Sequence, residues 1–319
     1  MEKKEIINML TKNDSTILSF PDRGPWGDSK YRGNCSGWIQ AFLIWKYQAR
    51  KMAELFAGSG TGSDVCRDMR IPYIGADLNP SPVRDNILAV NAVSDEVPDS
   101  FRDADLLFMH PPYGAEIGIP YAGSMWKDPG RQLSPSDLGQ MPWDKFMRTL
   151  NAVVMKYYAA MENGARMAVL MGDVRRKGQF HSMLADIVKP GNLEQIIVKA
   201  QHNCVSNGRQ YSAKGFVPIT HEFLMVVRKP GGYFISFQLP QQYRTDIRDS
   251  ESATWTDVVY AVVQTQETCT LTDIYTKIEG NKKAKKNPHW KEKVRQVLGQ
   301  HPSLFHQRTR GVWSAKAAA

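Results

Sequence analysis

The sequence is poor in cysteine and has no long apolar segment. The four cysteines show no Cys-x-x-Cys pair and no histidine at zinc-binding spacing, so reduced thiols in a cytosolic protein are expected (Cys35, Cys66, Cys204, Cys269). Nowhere do 18 apolar residues follow one another, and the first residues lead to no apolar run. We therefore expect neither secretion nor a membrane span.

Acidic residues are too few to balance the basic ones. The 319 residues include 41 Lys and Arg against 32 Asp and Glu, a net charge of +9. Such an excess favours a polyanionic partner such as nucleic acid, although a merely basic surface would have the same composition. The length suffices for one large α/β domain and a small second one.

The most informative motif is His110-Pro111-Pro112-Tyr113, at the end of the apolar run 106–109. Two consecutive prolines remove two backbone donors, which leaves carbonyl groups free to accept from a ligand. The residue before them is pushed to an extended conformation, and Tyr113 offers a flat face on which a base could stack. This combination suits the exocyclic amino group of a base. The alternative is a proline-rich turn with Tyr113 packed in the core.

A second loop, Phe56-Ala57-Gly58-Ser59-Gly60-Thr61, lies about fifty residues earlier, after the short run 51–55. Its glycines allow positive φ and close backbone approach, as in a strand-to-helix turn that receives a cofactor at the carboxyl edge of a doubly wound sheet. The dinucleotide fingerprint is incomplete, because its third glycine position is Ser63. An ordinary α/β turn is the alternative.

A third strand end carries an acidic residue. The segment 73–76 is followed by Asp77, which is well placed to accept hydrogen bonds from a ribose diol; a helix-starting aspartate is the alternative. We therefore predict that a nucleotide-like cofactor and a planar amine meet at one edge of a sheet.

The order of glycine loop, acidic strand end and x-Pro-Pro-Tyr resembles the amino-methylating DNA methyltransferases, over roughly residues 20–235. The segment 27–37 resembles the motif that precedes the glycine loop in members with this motif order and closes over the amino-acid end of the cofactor. The resemblance implies a doubly wound, mostly parallel Rossmann-like α/β sheet, S-adenosyl-L-methionine as cofactor and DNA as substrate.

The same resemblance assigns roles to individual residues. The tetrapeptide would hold the target amine through His110, Pro111, Pro112 and Tyr113. Cofactor binding falls to the amino-terminal segment, the glycine loop and the end of the next strand: Lys30, Tyr31, Gly33, Asn34, Phe56, Ala57, Gly58, Ser59, Gly60, Thr61, Asp77 and Asn79.

His110 departs from the family, whose first motif residue is usually Asp, Asn or Ser. A neutral imidazole has one acceptor nitrogen, whereas an imidazolium has none. We therefore predict that transfer requires neutral His110 and changes with pH between 5 and 8. The resemblance favours a flipped-out adenine as target; the alternatives are cytosine and a catalytically silent DNA-binding protein.

Two loops and several cations are candidates for contacting DNA. Residues 114–145 and 201–215 are long and irregular, which is typical of recognition loops. The cations nearest to predicted strand ends and in the second loop are Arg175, Arg176, Arg209 and Lys214. An irregular cover over the sheet and a solvated basic turn are the alternatives.

The tail indicates a small separate module. A predicted linker, 236–252, is followed by three predicted helices and a hairpin within 253–316, which resembles the winged helices of restriction-linked proteins. The alternative is a protein-binding or dimerisation module. In a DNA-binding module, six cations would contact DNA: Lys285, Lys286, Lys291, Lys293, Arg295 and Arg308.

The resemblance also implies a location and further partners. We expect the cytoplasm of a prokaryotic cell, with the gene carried by the host, a phage or a mobile element, and association with the nucleoid when DNA is bound. It leaves open a cognate restriction endonuclease and a homodimer, and it implies no membrane partner.

Overall fold

A computed structural model describes residues 1–126, 130–202, 215–232, 235–240, 246–250 and 253–316. The chain divides into two compact units, Met1–Pro240 and Gln241–Ala319. In the described part of the chain, no helix has the length and apolar character needed to cross a membrane.

The larger unit contains strands and helices in alternation. Its strands are β1 Ile17–Leu18, β2 Met52–Leu55, β3 Tyr73–Asp77, β4 Ile87–Ala89, β5 Leu106–Met109, β6 Arg166–Met171, β7 Asp173–Arg176, β8 Gln179–Ser182, β9 Lys189–Pro190, β10 Asn192–Ala200, β11 His221–Arg228 and β12 Phe237–Gln238. Its helices are α1 Lys3–Thr11, α2 Gly37–Tyr47, α3 Thr61–Met69, α4 Asp99–Arg102, α5 Tyr121–Ser124, α6 Gly130–Leu133, α7 Trp143–Ala160 and α8 Met183–Asp186.

Eight strands form one sheet in the order β1-β10-β11-β6-β5-β2-β3-β4. All neighbours are parallel except β11, which is antiparallel to both β10 and β6. The chain builds outward from β2 through β3 to β4, and then returns to place β5 on the other side of β2. This reversal is a topological switch point, where α/β sheets bind ligands beyond the carboxyl ends of their strands. The predicted fold class is confirmed.

The central strands are apolar on both faces because both faces are covered. All four residues of β2 and of β5 are buried, as expected for parallel strands between layers of helices. Leu107 and Met109 contribute to one core with α7, whereas Leu106 and Phe108 contribute to a second core with α2. The strands β2 and β5, whose ends carry the predicted motifs, therefore lie between two hydrophobic cores.

The smaller unit has three principal helices and a three-stranded sheet. Its elements are α9 Trp255–Val263, β13 Cys269–Thr270, α10 Leu271–Ile278, α11 Lys282–Lys285, α12 Trp290–Gln300, β14 Phe305–Thr309 and β15 Val312–Ala315, with the strands in the order β13-β15-β14. Capping boxes at Thr254 and Thr270 start α9 and α10. Buried residues from α9, α10 and α12 form the core of this unit.

The predicted linker 236–252 is shorter in the structure. Phe237 and Gln238 pair with β9 in the larger unit, and the Arg248 guanidinium donates to the Lys277 carbonyl in the smaller one (2.6 Å). Residues at both ends of the predicted linker therefore form hydrogen bonds within one of the two units. Their polar, charged composition had suggested that they belong to neither unit. Residues 241–245 and 251–252 lie outside the described part.

Candidate active site

A cleft opens at the switch point between β2 and β5. The parallel register pairs Leu55 with Met109, so the residues that follow, Phe56 and His110, leave the sheet side by side. The cleft has about 800 Å³ of empty space, part of it open to solvent. The predicted meeting of the two loops at one sheet edge is confirmed.

The glycine loop is tied to the end of β3 by Asp77. The Gly58 amide donates to Oδ2 of Asp77 (2.8 Å) and the Asn79 amide to Oδ1 (2.9 Å). Gly58 and Gly60 have φ of +49° and +78°, a region that glycine adopts at little cost. Asp77 lines the cleft, and burial raises the pKa of its carboxyl group.

Much of the loop reaches the cleft directly. Four of its six residues line the cleft: Phe56, Ala57, Ser59 and Thr61. Gly58 and Gly60 of the loop do not line it, and neither does Asn79. The amide of Asn79 holds Asp77 rather than facing the empty space. Asn79 therefore positions Asp77, whereas the sequence predicts that Asn79 contacts the cofactor itself.

The amino-terminal segment packs on the glycine loop. The Thr61 hydroxyl donates to Oδ1 of Asn34 (2.6 Å), and Tyr31, Gly33 and Asn34 line the cleft. Lys30 is exposed and is not part of the lining, so the structure does not bring it to the predicted cofactor site. Its amide instead donates to the Asp28 carboxylate (2.8 Å), which forms a local turn.

A hydrogen-bonded relay runs behind the tetrapeptide. His110 Nε2 lies 3.0 Å from the Tyr113 hydroxyl, and that hydroxyl donates to Oε1 of Glu222 (2.7 Å). The Lys199 ammonium donates to Oε2 of the same carboxylate (2.5 Å). Glu222 and Lys199 lie on β11 and β10, far along the chain, and no sequence signal connected them to the motif.

The relay fixes which imidazole nitrogen of His110 carries the proton. Lys199 and the other polar partners hold the pKa of Glu222 down at about 2 against the cost of burial, so its carboxylate only accepts. The single Tyr113 proton therefore goes to Glu222, and the Tyr113 oxygen must accept from His110 Nε2–H. Nδ1 of His110 is left as an acceptor, with no hydrogen-bond partner among the described residues.

Burial lowers the pKa of His110 from 6.5 to about 4. The Glu222 carboxylate opposes this shift and the Lys199 ammonium adds to it. His110 is therefore mainly neutral between pH 5 and 8, so its titration is expected to change the rate less in this range than the sequence predicts. The sequence could not show that the side chain is only 13% exposed.

Tyr113 and Pro111 are placed differently from the prediction. His110 and Pro112 line the cleft, whereas Pro111 and Tyr113 do not. The Tyr113 ring packs against Gly172 at the end of β6, where an added Cβ would lie 2.9 Å from the ring. Its hydroxyl is held in the relay, through which Tyr113 acts on His110, and its stacking on a base stays a prediction.

Described residues between positions 114 and 141 line the cleft, and the sequence assigned no individual role to them. Tyr121, Trp126, Asp137 and Leu138 line it. Asp137 accepts from the amides of Ala122 (3.1 Å) and Gly139 (2.9 Å), which holds the segment in place. The length of this loop was the signal for a functional role, but the individual residues gave none. Residues 127–129 lie outside the described part.

Two further contributions to the cleft were missed. Asn91, Ala92 and Val93 follow β4 and line the cleft, as their position at the next strand end would suggest. Glu54, a charged residue inside the buried strand β2, accepts from Gln40 (2.5 Å) and Tyr73 (2.6 Å). Burial raises the pKa of Glu54 to about 8, so the group is mostly protonated at neutral pH.

The cations proposed for DNA contact are distributed over both units. Arg175 and Arg176 are exposed on β7, while Arg209 and Lys214 fall in residues 203–214, outside the described part. In the smaller unit Lys293 is half-buried and the others are exposed: Lys285, Lys286, Lys291, Arg295 and Arg308. Arg295 already pairs with Glu292 (2.9 Å) and Arg308 donates to Ser314 (3.1 Å).

Comparison by sequence finds no matching protein family and no matching curated protein. Comparison by structure finds TrmN from Thermus thermophilus, 16% identical, with 62% of this chain and 50% of that one covered and a TM-score of 0.37. A proposed DNA modification methylase, also from Thermus thermophilus, is 18% identical, with 43% and 49% covered and a TM-score of 0.25. The N-methyltransferase NodS from Bradyrhizobium japonicum WM9, in complex with S-adenosyl-L-homocysteine, is 10% identical, with 71% and 99% covered and a TM-score of 0.36.

The chain spans about half the length of the first two proteins. Similarity at this distance carries no statement about activity, which rests on the site itself.

Proposed function

We propose that this protein transfers a methyl group from S-adenosyl-L-methionine to the exocyclic amino group of a flipped-out adenine in DNA. The observation that carries the proposal is the juxtaposition at the switch point. There a glycine loop tied to a buried aspartate stands beside His110, whose Nδ1 is fixed as an acceptor. A cofactor bound at the glycine loop would thus lie next to the acceptor for an amine proton.

The residues on the cofactor side fit a nucleoside bearing an amino-acid arm. Asp77 keeps its acceptor oxygens at the end of β3, where a ribose diol would donate to them. Asn91 and Leu138 line the same cleft with Val93, and offer polar and apolar surface for a purine ring. Tyr31 and Asn34, held over the glycine loop through Thr61, would enclose the amino-acid arm.

The residues on the substrate side suit an amine rather than a hydroxyl or carbon nucleophile. Nδ1 of neutral His110 would accept one amine hydrogen and the tetrapeptide backbone the other, which favours a tetrahedral nitrogen with its lone pair directed at the methyl group. When bound, the cofactor supplies a sulfonium methyl group as electrophile. The chain contributes orientation, from which most of the acceleration of a direct displacement is expected to come.

DNA as the substrate is supported by charge. The chain carries a net +9, and exposed cations lie beside the carboxyl edge of the sheet on β7. We propose that the smaller unit, with three helices followed by a hairpin, acts as a winged helix that presents Lys291 and Lys293 of α12 to the duplex. Duplex DNA would have to release its base from the stack before the base could reach the cleft.

The proposal is tested by nucleoside mass spectrometry of DNA incubated with the protein and S-adenosyl-L-methionine. We expect N6-methyladenine with the unaltered chain and none with His110→Ala. N4-methylcytosine would replace the adenine assignment by the cytosine alternative. Cofactor uptake in calorimetry without any methylated nucleoside would support the catalytically silent alternative.

A further inference from the structure

The β7–β8 hairpin starts beside the tetrapeptide. It begins at Asp173, one residue after Gly172, which lies against the Tyr113 ring. Its two-residue turn is Lys177-Gly178, with φ of +48° and +78°, the left-handed conformation that tight hairpins favour. On its inner side, Val174 is buried in the core and the His181 ring lies 4.8 Å from the Trp143 ring.

The opposite side of the hairpin exposes an aromatic ring that is stacked with an arginine. Arg175 and Phe180 are direct cross-strand partners, and the guanidinium lies 5.5 Å from the Phe180 ring centroid. On its other side the guanidinium lies 4.8 Å from the Phe216 ring, and it donates to the Val217 carbonyl (3.0 Å). Phe180 is nevertheless 53% exposed.

Positive charge lies near this exposed ring: Arg175 shares its face of the hairpin, Lys177 is in the turn, and Arg176 is on the opposite face of β7. Arg175, Arg176 and Lys177 are exposed, and from position 174 to 182 the hairpin contains no acidic residue. A flat apolar surface between cations suits a partner that combines bases with phosphates. An apolar protein surface would not need the cations, and an acidic protein surface would not need an exposed ring.

We propose that the β7–β8 hairpin binds the DNA strand beside the target nucleotide, with Phe180 stacking on a base and Arg176 and Lys177 contacting phosphates. This inference rests on the proposed function for its substrate, because the hairpin and the tetrapeptide meet at Gly172. The arginine between the two rings holds Phe180 in position without covering its outer face. The hairpin would thus occupy the space next to an extruded nucleotide.

The test measures binding of a fluorescein-labelled mixed-sequence DNA duplex by anisotropy over a range of salt concentrations. Phe180→Ala should weaken binding about five-fold or more, as expected for the loss of one stacked base, with the salt dependence unchanged. Phe180→Tyr should retain the affinity. Arg176→Gln and Lys177→Gln should each lower the slope of log affinity against log salt by about one.

Phe237→Ala is the matched control, because Phe237 is 51% exposed on β12 of the same unit; it should bind like the unaltered chain. Unchanged affinity and slope in the hairpin variants, equal sensitivity with a duplex RNA of the same sequence, or no duplex binding at all would each overturn the proposal. Calorimetry with S-adenosyl-L-homocysteine separates the two levels. If no binding is seen there, the proposed function is refuted, whereas the expected changes in DNA binding of the Phe180, Arg176 and Lys177 variants would still support the hairpin surface.

Discussion

The Tyr113 hydroxyl donates to Oε1 of Glu222 across 2.7 Å, although the two residues are 109 positions apart. This bond joins the loop after β5 to β11, the antiparallel strand of the sheet. Through it, a carboxylate that never lines the cleft determines the protonation of His110, which does line it. Tyr113 and Glu222 are therefore positioning residues for the proposed reaction.

Tyr113→Phe should slow methyl transfer while leaving cofactor binding unchanged. The ring would still pack on Gly172, but His110 Nε2 would lose its acceptor and Nδ1 would no longer be fixed as unprotonated. We expect a single-turnover rate about ten-fold lower, the factor that corresponds to one hydrogen bond of roughly 1.4 kcal/mol. Tyr157→Phe is the control, because the buried Tyr157 hydroxyl makes no hydrogen bond among the described residues.

The chemical step should be insensitive to pH between 5 and 8 as far as His110 is concerned. Its folded-state pKa of about 4 lies below the ordinary 6.5, so the neutral form that accepts the amine hydrogen predominates above pH 4 and is lost below it. Single-turnover rates measured with short exposures to acid test this. A fall in rate centred near pH 6.5, in a protein that remains folded, would contradict the assignment.

Lys199→Met should destabilise the fold. It would leave the buried Glu222 carboxylate without its cation, which costs about 3–5 kcal/mol of unfolding free energy. Urea unfolding at neutral pH measures the loss, and Lys199→Met with Glu222→Gln should recover most of it. If the double variant is no more stable than the single one, the pair does not provide this stabilisation.

The same pair should contribute an acid-sensitive part of the stability. The pKa of Glu222 falls from 4.5 to about 2 on folding, so its contribution is fully present above about pH 4.5 and is lost as the pH falls towards 2. Unfolding free energies measured at several pH values should therefore decline across that range. In Glu222→Gln, the part of the decline due to this carboxylate should be absent.

Asp77→Ala should weaken the binding of S-adenosyl-L-homocysteine in calorimetry about ten-fold or more. The substitution removes the acceptors offered to the ribose and also frees the Gly58 and Asn79 amides. Asp77→Asn, which keeps one acceptor oxygen, should fall between. Asp103→Asn is the control, since Asp103 is 64% exposed and pairs with Lys51 on the surface. Equal affinities for all these proteins would remove Asp77 from the cofactor site.

Lys293→Gln on α12 should reduce the salt dependence of duplex binding by about one in slope, because one phosphate contact is lost. Lys293 now donates to Gln296 within its own helix (2.9 Å), and this local bond would have to exchange for the phosphate. Lys4→Gln on α1 serves as the control. An unchanged slope would favour a protein-binding role for the smaller unit.

The sequence predicted those parts of the structure that local patterns determine. The apolar spacing through Phe146, Leu150 and Val154 predicts the helix found as α7, and the runs at 165–171 and 221–229 predict the strands β6 and β11. Parallel pairing then accounts for the meeting of the two loops, since strand order alone brings Phe56 beside His110. Motifs and apolar periodicity were therefore sufficient to predict these elements and the meeting of the two loops.

What the sequence could not give are contacts between distant segments. Glu222 and Lys199 reach the tetrapeptide only because β11 runs antiparallel between β10 and β6. Burial, which moves the pKa of His110 out of the physiological range, is likewise a property of the packed site. The contacts of Tyr113 with Glu222 and Gly172 likewise join distant segments, and its stacking on a base stays a prediction.

Gly172 gives these observations a mechanical consequence. There is no room for even one methyl group between the end of β6 and the Tyr113 ring, since an added Cβ would come within 2.9 Å of it. The hairpin that starts at the next residue is thus joined through Gly172 to a close contact with the ring whose hydroxyl group holds His110. A side chain larger than glycine at position 172 would therefore push on the Tyr113 ring and disturb the hydrogen bond that orients the His110 imidazole.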